Sequence, residues 1–370
     1  MIKVISVVSN DIVTDNRIHK IALSLGANGY EFMIIGRLLK NSGKLYDRPY
    51  ITRRFRLWFS NGPLFYLNLN IRIFTFLLGA KADIILANDL DTLLGCWLAA
   101  RLRRKQLFFD SHELFPEVPE LVDRPFIRKI WMKLEAFLVP KIDRGFTVSR
   151  PIVDYYQERY NLRFELIRNL GRFRYDYEFD GLSKDQSMKT IIYQGAINLG
   201  RGLELAIRSI KHLENVQLWI GGDGDIIAKL RQLATHLGLG DRVKFFGRVS
   251  IEKLWKYTAR AHAGISLEED LGLNYRYALP NKLFDYIQAR IPVICSDLPE
   301  MAAIVNKFGV GKVLVEREPL RLAEIIRDLI TENPERDKMI SNLELAAREL
   351  CWEREEEKLI ALFRHAEALT

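Results

Sequence analysis

"LPNKLFDYIQARIPVICSD" (residues 279–297) sets a helical pattern directly before a short apolar run. Leu283, Phe284 and Ile287 share one side at 3.6-residue spacing, which predicts a core-facing stripe. Lys282, Asp285, Tyr286 and Ala289 fall on the other side, expected to face outward. Pro280 suits the first helical position, and Leu279 before it has no capping oxygen. The amides of Lys282 and Leu283 then lack a side-chain acceptor. An anion can fill that place, favoured by the helix dipole and by Lys282. Asp285, one turn on, is suited to accept from neutral hydroxyls. Phosphate plus hydroxyls at one helix start describes a nucleotide ribose and diphosphate; an Asp285–Lys282 surface pair is the alternative.

Outward from this segment the chain alternates strands and helices. Apolar runs at 2–9, 32–36, 83–87, 106–110, 144–148 and 164–168 read as strands, with helical patterns near 15–28, 64–79, 91–104, 126–139 and 150–160. The pattern restarts at 190–194, 216–220, 243–246, 263–267, 292–295 and 312–315. Such alternation predicts parallel sheets covered on both faces. The polar, turn-rich stretch 175–189 reads as a linker between a domain at 1–174 and one at 190–351, with a last helix over 352–370. Each sheet is expected to bind ligands at its strands' carboxyl ends.

At 370 residues and 48% hydrophobic the chain is large enough for two cores. Cys96, Cys295 and Cys351 are far apart in apolar segments, which predicts buried thiols rather than a zinc or redox site. The N-terminal run reads as a first strand rather than a signal peptide, and no apolar run approaches the ~20 residues of a spanning helix. A cytoplasmic protein is expected. The charge is uneven: residues 1–180 hold 28 Lys+Arg against 20 Asp+Glu, and residues 181–370 hold 27 of each. Residues 37–56 alone carry seven basic residues and one acid. Such a run is either a solvated loop or a surface that meets something anionic.

The first strand-to-helix turn, "SNDIVTDNRIHK", has no glycine, which argues against a dinucleotide oxidoreductase. Thr14 reads as a helix cap, with Asp15 in the first turn and Arg17 beside it: a cap and an exposed pair, or a ligand contact. "GGDGD" at 221–225 follows a strand and opens a helix, so its amides could face a phosphate or a base.

Taken together these motifs resemble the retaining glycosyltransferases of family four, of the bacterial polysaccharide-building type. "LPNKLFDYIQARIPVICSDLPEM" is similar to their donor-binding segment, and "YQGAINLGRGLELAIRSI" to the strand, glycine loop and helix that open their second domain. "LWIGGDGDIIAKLRQLATHLGLGDRVKFFGRVS" is similar to their next two strands and base-binding turn. "FDSHELFPEVPEL" and "TVSRPIVDYYQERYNLRFELIRN" are similar to parts of their first domain. The resemblance implies the GT-B fold: α/β, two doubly wound Rossmann-like domains facing each other across a cleft.

It also implies roles. Asp285 would hold the ribose, Arg201 and Lys282 the diphosphate, and the Gly247-Arg248-Val249 turn the base, with Gly222 and Asn281 in the donor site. His112 would approach the transferred sugar, and Asp15, Arg17 and Asp89 would lie on the acceptor side. Three departures stand out. The family's diphosphate arginine is Ala196 here, its Glu is Asp285, and a usual glycine is Arg290. Tyr277 stands where the first Glu of the family's carboxylate pair belongs. Glu268 or Glu269 is expected to take that role, and Arg276 to replace the missing arginine.

The implied reaction is transfer of a sugar from a nucleotide diphosphate donor, with retention, to a glycan or lipid-diphosphate-linked acceptor. No cofactor and no obligatory metal are expected, because the basic groups would neutralise the leaving diphosphate. A catalytically silent partner subunit of the same fold and a nucleotide-sugar epimerase are the rival readings. Residues 37–56 and the positions just after them mix Arg53, Arg54 and Arg56 with Tyr50, Phe55, Trp58 and Phe59. That mixture suits an anionic membrane surface at the inner face of the cytoplasmic membrane better than nucleic acid.

Overall fold

A computed structural model describes the chain except residues 14, 119–120, 122–123, 176–178, 180–181, 183, 186 and 368–370, and the side chains of 366–367. The chain divides into two compact units: Met1–Asn169 with Glu355–Thr370, and Leu170–Arg354.

The first unit is built on a seven-stranded sheet: β1 (Lys3–Val7), β2 (Glu31–Arg37), β3 (Ile51–Phe55), β4 (Ile84–Asn88), β5 (Gln106–Ser111), β6 (Arg144–Thr147) and β7 (Phe164–Leu166). Their order is β3-β2-β1-β4-β5-β6-β7, every pairing parallel. β4 is buried at all five positions, as a strand covered on both faces must be. Among the described residues the helices α1 (Asn16–Ala27), α2 (Gly62–Gly79), α3 (Leu90–Arg103), α4 (Pro125–Leu138) and α5 (Arg150–Tyr160) connect these strands.

β3 corrects the sequence reading. Its residues, "ITRRF", lie inside the basic run that read as a loop or charged surface. Only the edge of the sheet accepts them, because an edge strand keeps its flanking side chains near water. The cap of α1 is Asp15, whose carboxylate accepts from Ile18 N at 3.1 Å; Thr14 lies outside the described residues.

The second unit holds a six-stranded parallel sheet: β8 (Lys189–Gln194), β9 (Val216–Gly221), β10 (Val243–Gly247), β11 (Ala263–Ser266), β12 (Val293–Ser296) and β13 (Gly311–Leu314). Their order is β10-β9-β8-β11-β12-β13. The helices are α6 (Leu203–Ile210), α7 (Ile227–His236), α8 (Ile251–Arg260), α9 (Leu273–Arg276), α10 (Asn281–Gln288), α11 (Pro299–Phe308), α12 (Pro319–Ile330) and α13 (Pro334–Glu349). Two apolar cores cover this sheet, one around Ile207, Ile220 and Ile326, the other around Phe284, Ile287 and Leu343.

Residues 170–174 belong to this unit rather than to the domain expected to end at 174. Leu170 is buried in the second of those cores, Gly171 O accepts from Trp352 N at 2.7 Å, and Arg174 N donates to Gln288 Oε1 at 3.0 Å. Seven of the fifteen residues of the expected linker, 175–189, lie outside the described residues. The last helix, α14 (Trp352–Glu367), has its residues from Glu355 on in the first unit. There Phe363 meets Phe108 and Tyr30, and Glu355 accepts from Arg168 N at 3.0 Å.

Candidate functional site

In the second sheet the chain's direction of progress reverses between β8 and β11, and ligand sites of open α/β sheets form at the carboxyl ends there. Glu268 stands two residues beyond β11 and is 1% exposed. Its carboxylate accepts from Lys282 Nζ at 2.5 Å and Ser266 Oγ at 2.7 Å, with Arg201 Nη1 at 3.6 Å. Two cations thus share one buried anion. Burial works to raise the Glu268 carboxyl, but the charge and hydrogen bond of Lys282 hold it below the usual range. Burial works on Lys282 the other way, and lowers it despite Glu268. The Lys282 ammonium lies over the Tyr193 ring at 4.3 Å, the Arg201 guanidinium over Tyr275 at 5.1 Å. Arg201 Nε is buried without a hydrogen-bond partner.

The backbone around the cluster admits only glycine at two places. At Gly222 (φ +135°) an added Cβ would lie 1.8 Å from Gly195 O, and at Gly202 (φ +69°) 2.3 Å from Leu267 O. Close packing of the β8, β9 and β11 loops follows from those two residues.

The opening segment needs three corrections. Pro280 is the N-cap of α10, with extended backbone, and Asn281, exposed, is the first helical residue. No side chain caps the helix, but Leu283 N donates to Pro280 O at 3.1 Å, so of the two amides expected to be unpaired it has an acceptor. The side expected to face outward is buried at three of its four positions: Lys282 is 8%, Tyr286 0% and Ala289 2% exposed. Tyr286 OH donates to Ile265 O and accepts from Gln194 N, which ties α10 to the sheet. Only Asp285 is half-buried.

Asp285 Oδ2 accepts from Gln194 Nε2 at 2.7 Å, and Gln194 Oε1 accepts from Thr258 Oγ1 at 2.6 Å. The carboxylate lines a small cavity with Arg174, Ile251, Leu254 and Trp255. Arg201, Lys282 and Glu268 do not line it. Ile251 and Leu254 open α8, immediately after the Gly247-Arg248-Val249 turn. Arg248 is exposed with Asp223 at 3.9 Å, and Val249 is half-buried.

Arg276 does not join the cluster: it is exposed and forks onto Asp270 at 2.9 and 2.6 Å. The arginine that does approach the Glu268 loop is Arg317, which sequence reasoning missed. It donates to Leu267 O at 3.0 Å and Ser296 Oγ at 2.7 Å, and pairs with Glu269 at 3.6 Å. Glu269 is therefore the outer of the two candidate carboxylates, and Glu268 the inner. Arg290, at the usual glycine, does adopt a left-handed backbone (φ +53°); its side chain pairs with Glu344 at 2.8 Å and donates to Arg174 O at 2.9 Å.

The first unit has its own cluster at the same topological place. Asp89 follows β4 with φ +59° and ψ 162°, a strained backbone for a residue with a Cβ. Its Oδ1 accepts from His112 N at 2.9 Å and its Oδ2 lies 3.2 Å from His112 Nδ1. His112 Nε2 lies 3.0 Å from Asp110 Oδ2. With a carboxylate at each ring nitrogen, both nitrogens serve as donors and the ring is an imidazolium. Burial works to lower its pKa, but Asp89 and Asp110 outweigh burial and raise it well above 6.5. Asp110 in turn takes Arg17 through Nε at 2.8 Å and Nη2 at 2.7 Å.

Arg17 is 4% exposed and also donates to Ile167 O, so the exposed Asp15–Arg17 pair is replaced by a helix cap and a buried ion pair. Asp91, buried on the first turn of α3 with Oδ1 unpartnered, is pushed up to about 7 by burial and by Asp89.

Among the described residues no three His, Cys, Asp or Glu are grouped to hold a metal, and no helix is long and apolar enough to cross a membrane. All three cysteines are buried and unpaired, with burial raising Cys295 to about 12.

Two parallel Rossmann-like sheets in one chain, each with a polar cluster at its switch point, define a protein of GT-B architecture. The family profile "Glycosyl transferases group 1" matches residues 176–345 and that of "Glycosyltransferase Family 4" matches residues 15–169. The chain belongs to family four. Lipopolysaccharide core biosynthesis glycosyltransferase LpsD of Rhizobium meliloti is 40% identical over 57 residues, a match spanning 15% of this chain and 17% of LpsD. Sucrose-phosphate synthase from Thermosynechococcus elongatus superposes with a TM-score of 0.79 over 100% of both chains at 17% identity. Anabaena HepE in complex with UDP-glucose superposes with a TM-score of 0.74 over 99% of this chain and 100% of HepE at 15% identity. Likeness at such identities speaks for the fold alone.

Proposed function

We propose that this protein transfers a sugar, with retention, from a nucleotide diphosphate sugar to a glycan or lipid-diphosphate-linked acceptor in surface polysaccharide synthesis. The observation that carries the proposal is the pairing of Arg201 and Lys282 on the single carboxylate of Glu268. Two cations and one anion leave a net positive charge, in a cluster largely removed from water, where an anion is strongly favoured. When the bond between the anomeric carbon and the diphosphate breaks, its electron pair leaves on the diphosphate. Arg201 and Lys282 stabilise that charge in place of a metal. Glu268 fixes the Lys282 ammonium, and Asp285 takes the ribose hydroxyls. The binding of UDP-glucose by HepE and the name of LpsD support the donor class and the polysaccharide setting.

Calorimetry with UDP, GDP and ADP tests the donor reading. The preferred diphosphate should lose about 1.5–3 kcal/mol of affinity in Asp285→Asn, the worth of a charged hydrogen bond. Unchanged affinity takes Asp285 out of the site. With the matching nucleotide sugar, the anomeric configuration of the product should equal that of the donor, and a chelator should leave turnover unchanged; inversion would overturn the retaining assignment.

A further inference from the structure

α2 carries large apolar residues on both its buried and its exposed sides. Phe65, Leu69, Ile73 and Leu77 are buried, yet Leu64, Leu67, Ile71 and Leu78 are 53, 57, 51 and 40% exposed. These four recur at three-, four- and seven-residue steps, so they form one stripe about 21 Å long. A helix hydrophobic all round belongs inside a protein or against something apolar.

The stripe is not isolated. Gly95 lets α3 approach α2 so closely that a Cβ there would lie 2.7 Å from Asn70 O. Tyr66 of α2 meets Trp131 of α4 at 4.9 Å, and Trp97 of α3 meets Phe137 of α4 at 5.4 Å. The three helices are one layer. On α4 a second exposed stripe, Phe126, Ile130 and Phe137, carries Lys129 and Lys133 beside it.

Charge decides what such a layer meets. The only acids in α2, α3 and α4 are Asp91 and Glu135, 5 and 1% exposed. Every exposed ionised side chain on the three helices is therefore basic. Trp58, 78% exposed just before α2, adds an aromatic beneath Arg72 at 5.2 Å. An isologous contact with a second copy would press like charges together, whereas anionic headgroups over an acyl boundary complement both the apolar stripes and the basic rim.

We propose that the α2–α3–α4 face is a docking surface for an anionic lipid bilayer, lying on it rather than spanning it. The inference shifts the membrane contact away from the basic run expected from sequence. There Arg54 donates to Gly43 O and pairs with Asp11, Arg53 lies over Phe76, and Phe55 packs on Phe76. It rests on the proposed function only in taking the acceptor to be lipid-borne.

Sedimentation of the full chain with vesicles of phosphatidylcholine alone, or with phosphatidylglycerol added, tests the surface. Binding should require phosphatidylglycerol and weaken with salt. Lys129→Glu/Lys133→Glu should lower partitioning at least ~25-fold, at roughly five-fold per charge. Leu67→Glu/Ile71→Glu should abolish it. Melting temperature and UDP affinity should match wild type in both variants. Equal binding to both vesicles, or binding untouched by Leu67→Glu/Ile71→Glu, overturns the inference. So does a wild-type dimer in sedimentation velocity that the same substitutions dissociate. Absence of affinity for UDP, GDP and ADP alike in wild type would instead strike the donor reading and leave this surface standing.

Discussion

The two sheets end in clusters at the same topological position with different balances of charge. In the second unit Arg201 and Lys282 surround one carboxylate. In the first, Asp89, Asp110 and Asp91 surround His112 and Arg17. The strand order is shared, so the fold dictates where a site forms but not its sign. A positive cluster is fitted to a diphosphate. A cluster in which Asp89 and Asp110 already balance His112 and Arg17 gives a diphosphate no net attraction, and its carboxylates are fitted to accept hydrogen bonds from hydroxyls.

The comparison breaks most sharply at Glu268. Glu268→Ala leaves Lys282 buried beside Arg201 with no counter-charge, and should cost ~3–5 kcal/mol in denaturant unfolding. The double variant Glu268→Ala/Lys282→Met should recover much of that loss. A single-variant cost under 1 kcal/mol would mean that the pair is solvated and the positive balance unimportant.

In the acidic cluster the prediction has the opposite sign. Asp91 has its folded pKa raised from 3.8 to about 7, so its neutral form is the one that folding favours. The penalty for its charge is absent near pH 4, grows as pH rises, and levels off above 7. Asp91→Asn should therefore stabilise the chain by about 2–4 kcal/mol at pH 8 and by little at pH 4. Thermal unfolding across that range checks it; a pH-independent difference would refute the assigned shift.

The smallest effect concerns His112. Its folded pKa is raised, so the stability it contributes is fully present below about 6.5 and is lost only as pH rises through the higher folded value. His112→Gln should cost ~1.5 kcal/mol from pH 5.5 to about 6.5, a gap that closes as pH rises into the alkaline range. Turnover in His112→Ala should fall much more than nucleotide affinity. With both ring nitrogens committed to Asp89 and Asp110, that loss would come through the position of those carboxylates. Parallel loss of turnover and affinity would remove His112 from the sugar side.

Much of the fold was legible because both sheets are parallel and doubly covered, which leaves runs such as "IILA" and "PVIC" apolar throughout. β3 was not legible, because an edge strand carries charged residues and breaks the apolar signature. The site was legible in its residue types and not in its geometry. Periodicity put Lys282 on an outward face, and only a partner fourteen residues upstream, Glu268, makes its burial tolerable. Arg317 gave no local signal at all: its three acceptors come from the ends of β11 and β12. Arg276, which looked like the replacement arginine, found Asp270 six residues away.

β3 has one more consequence. It closes one end of the first sheet, where a strand's outer amides and carbonyls invite pairing with another molecule. Arg53 and Arg54 at its centre make that pairing costly at low ionic strength, since a second copy would bring its own arginines alongside. Salt weakens the deterrent, because the Debye length falls from ~10 Å at 0.1 M to ~3 Å at 1 M. The protein should thus be most soluble in dilute buffer and turn viscous or cloudy as salt is raised, the reverse of ordinary salting-in.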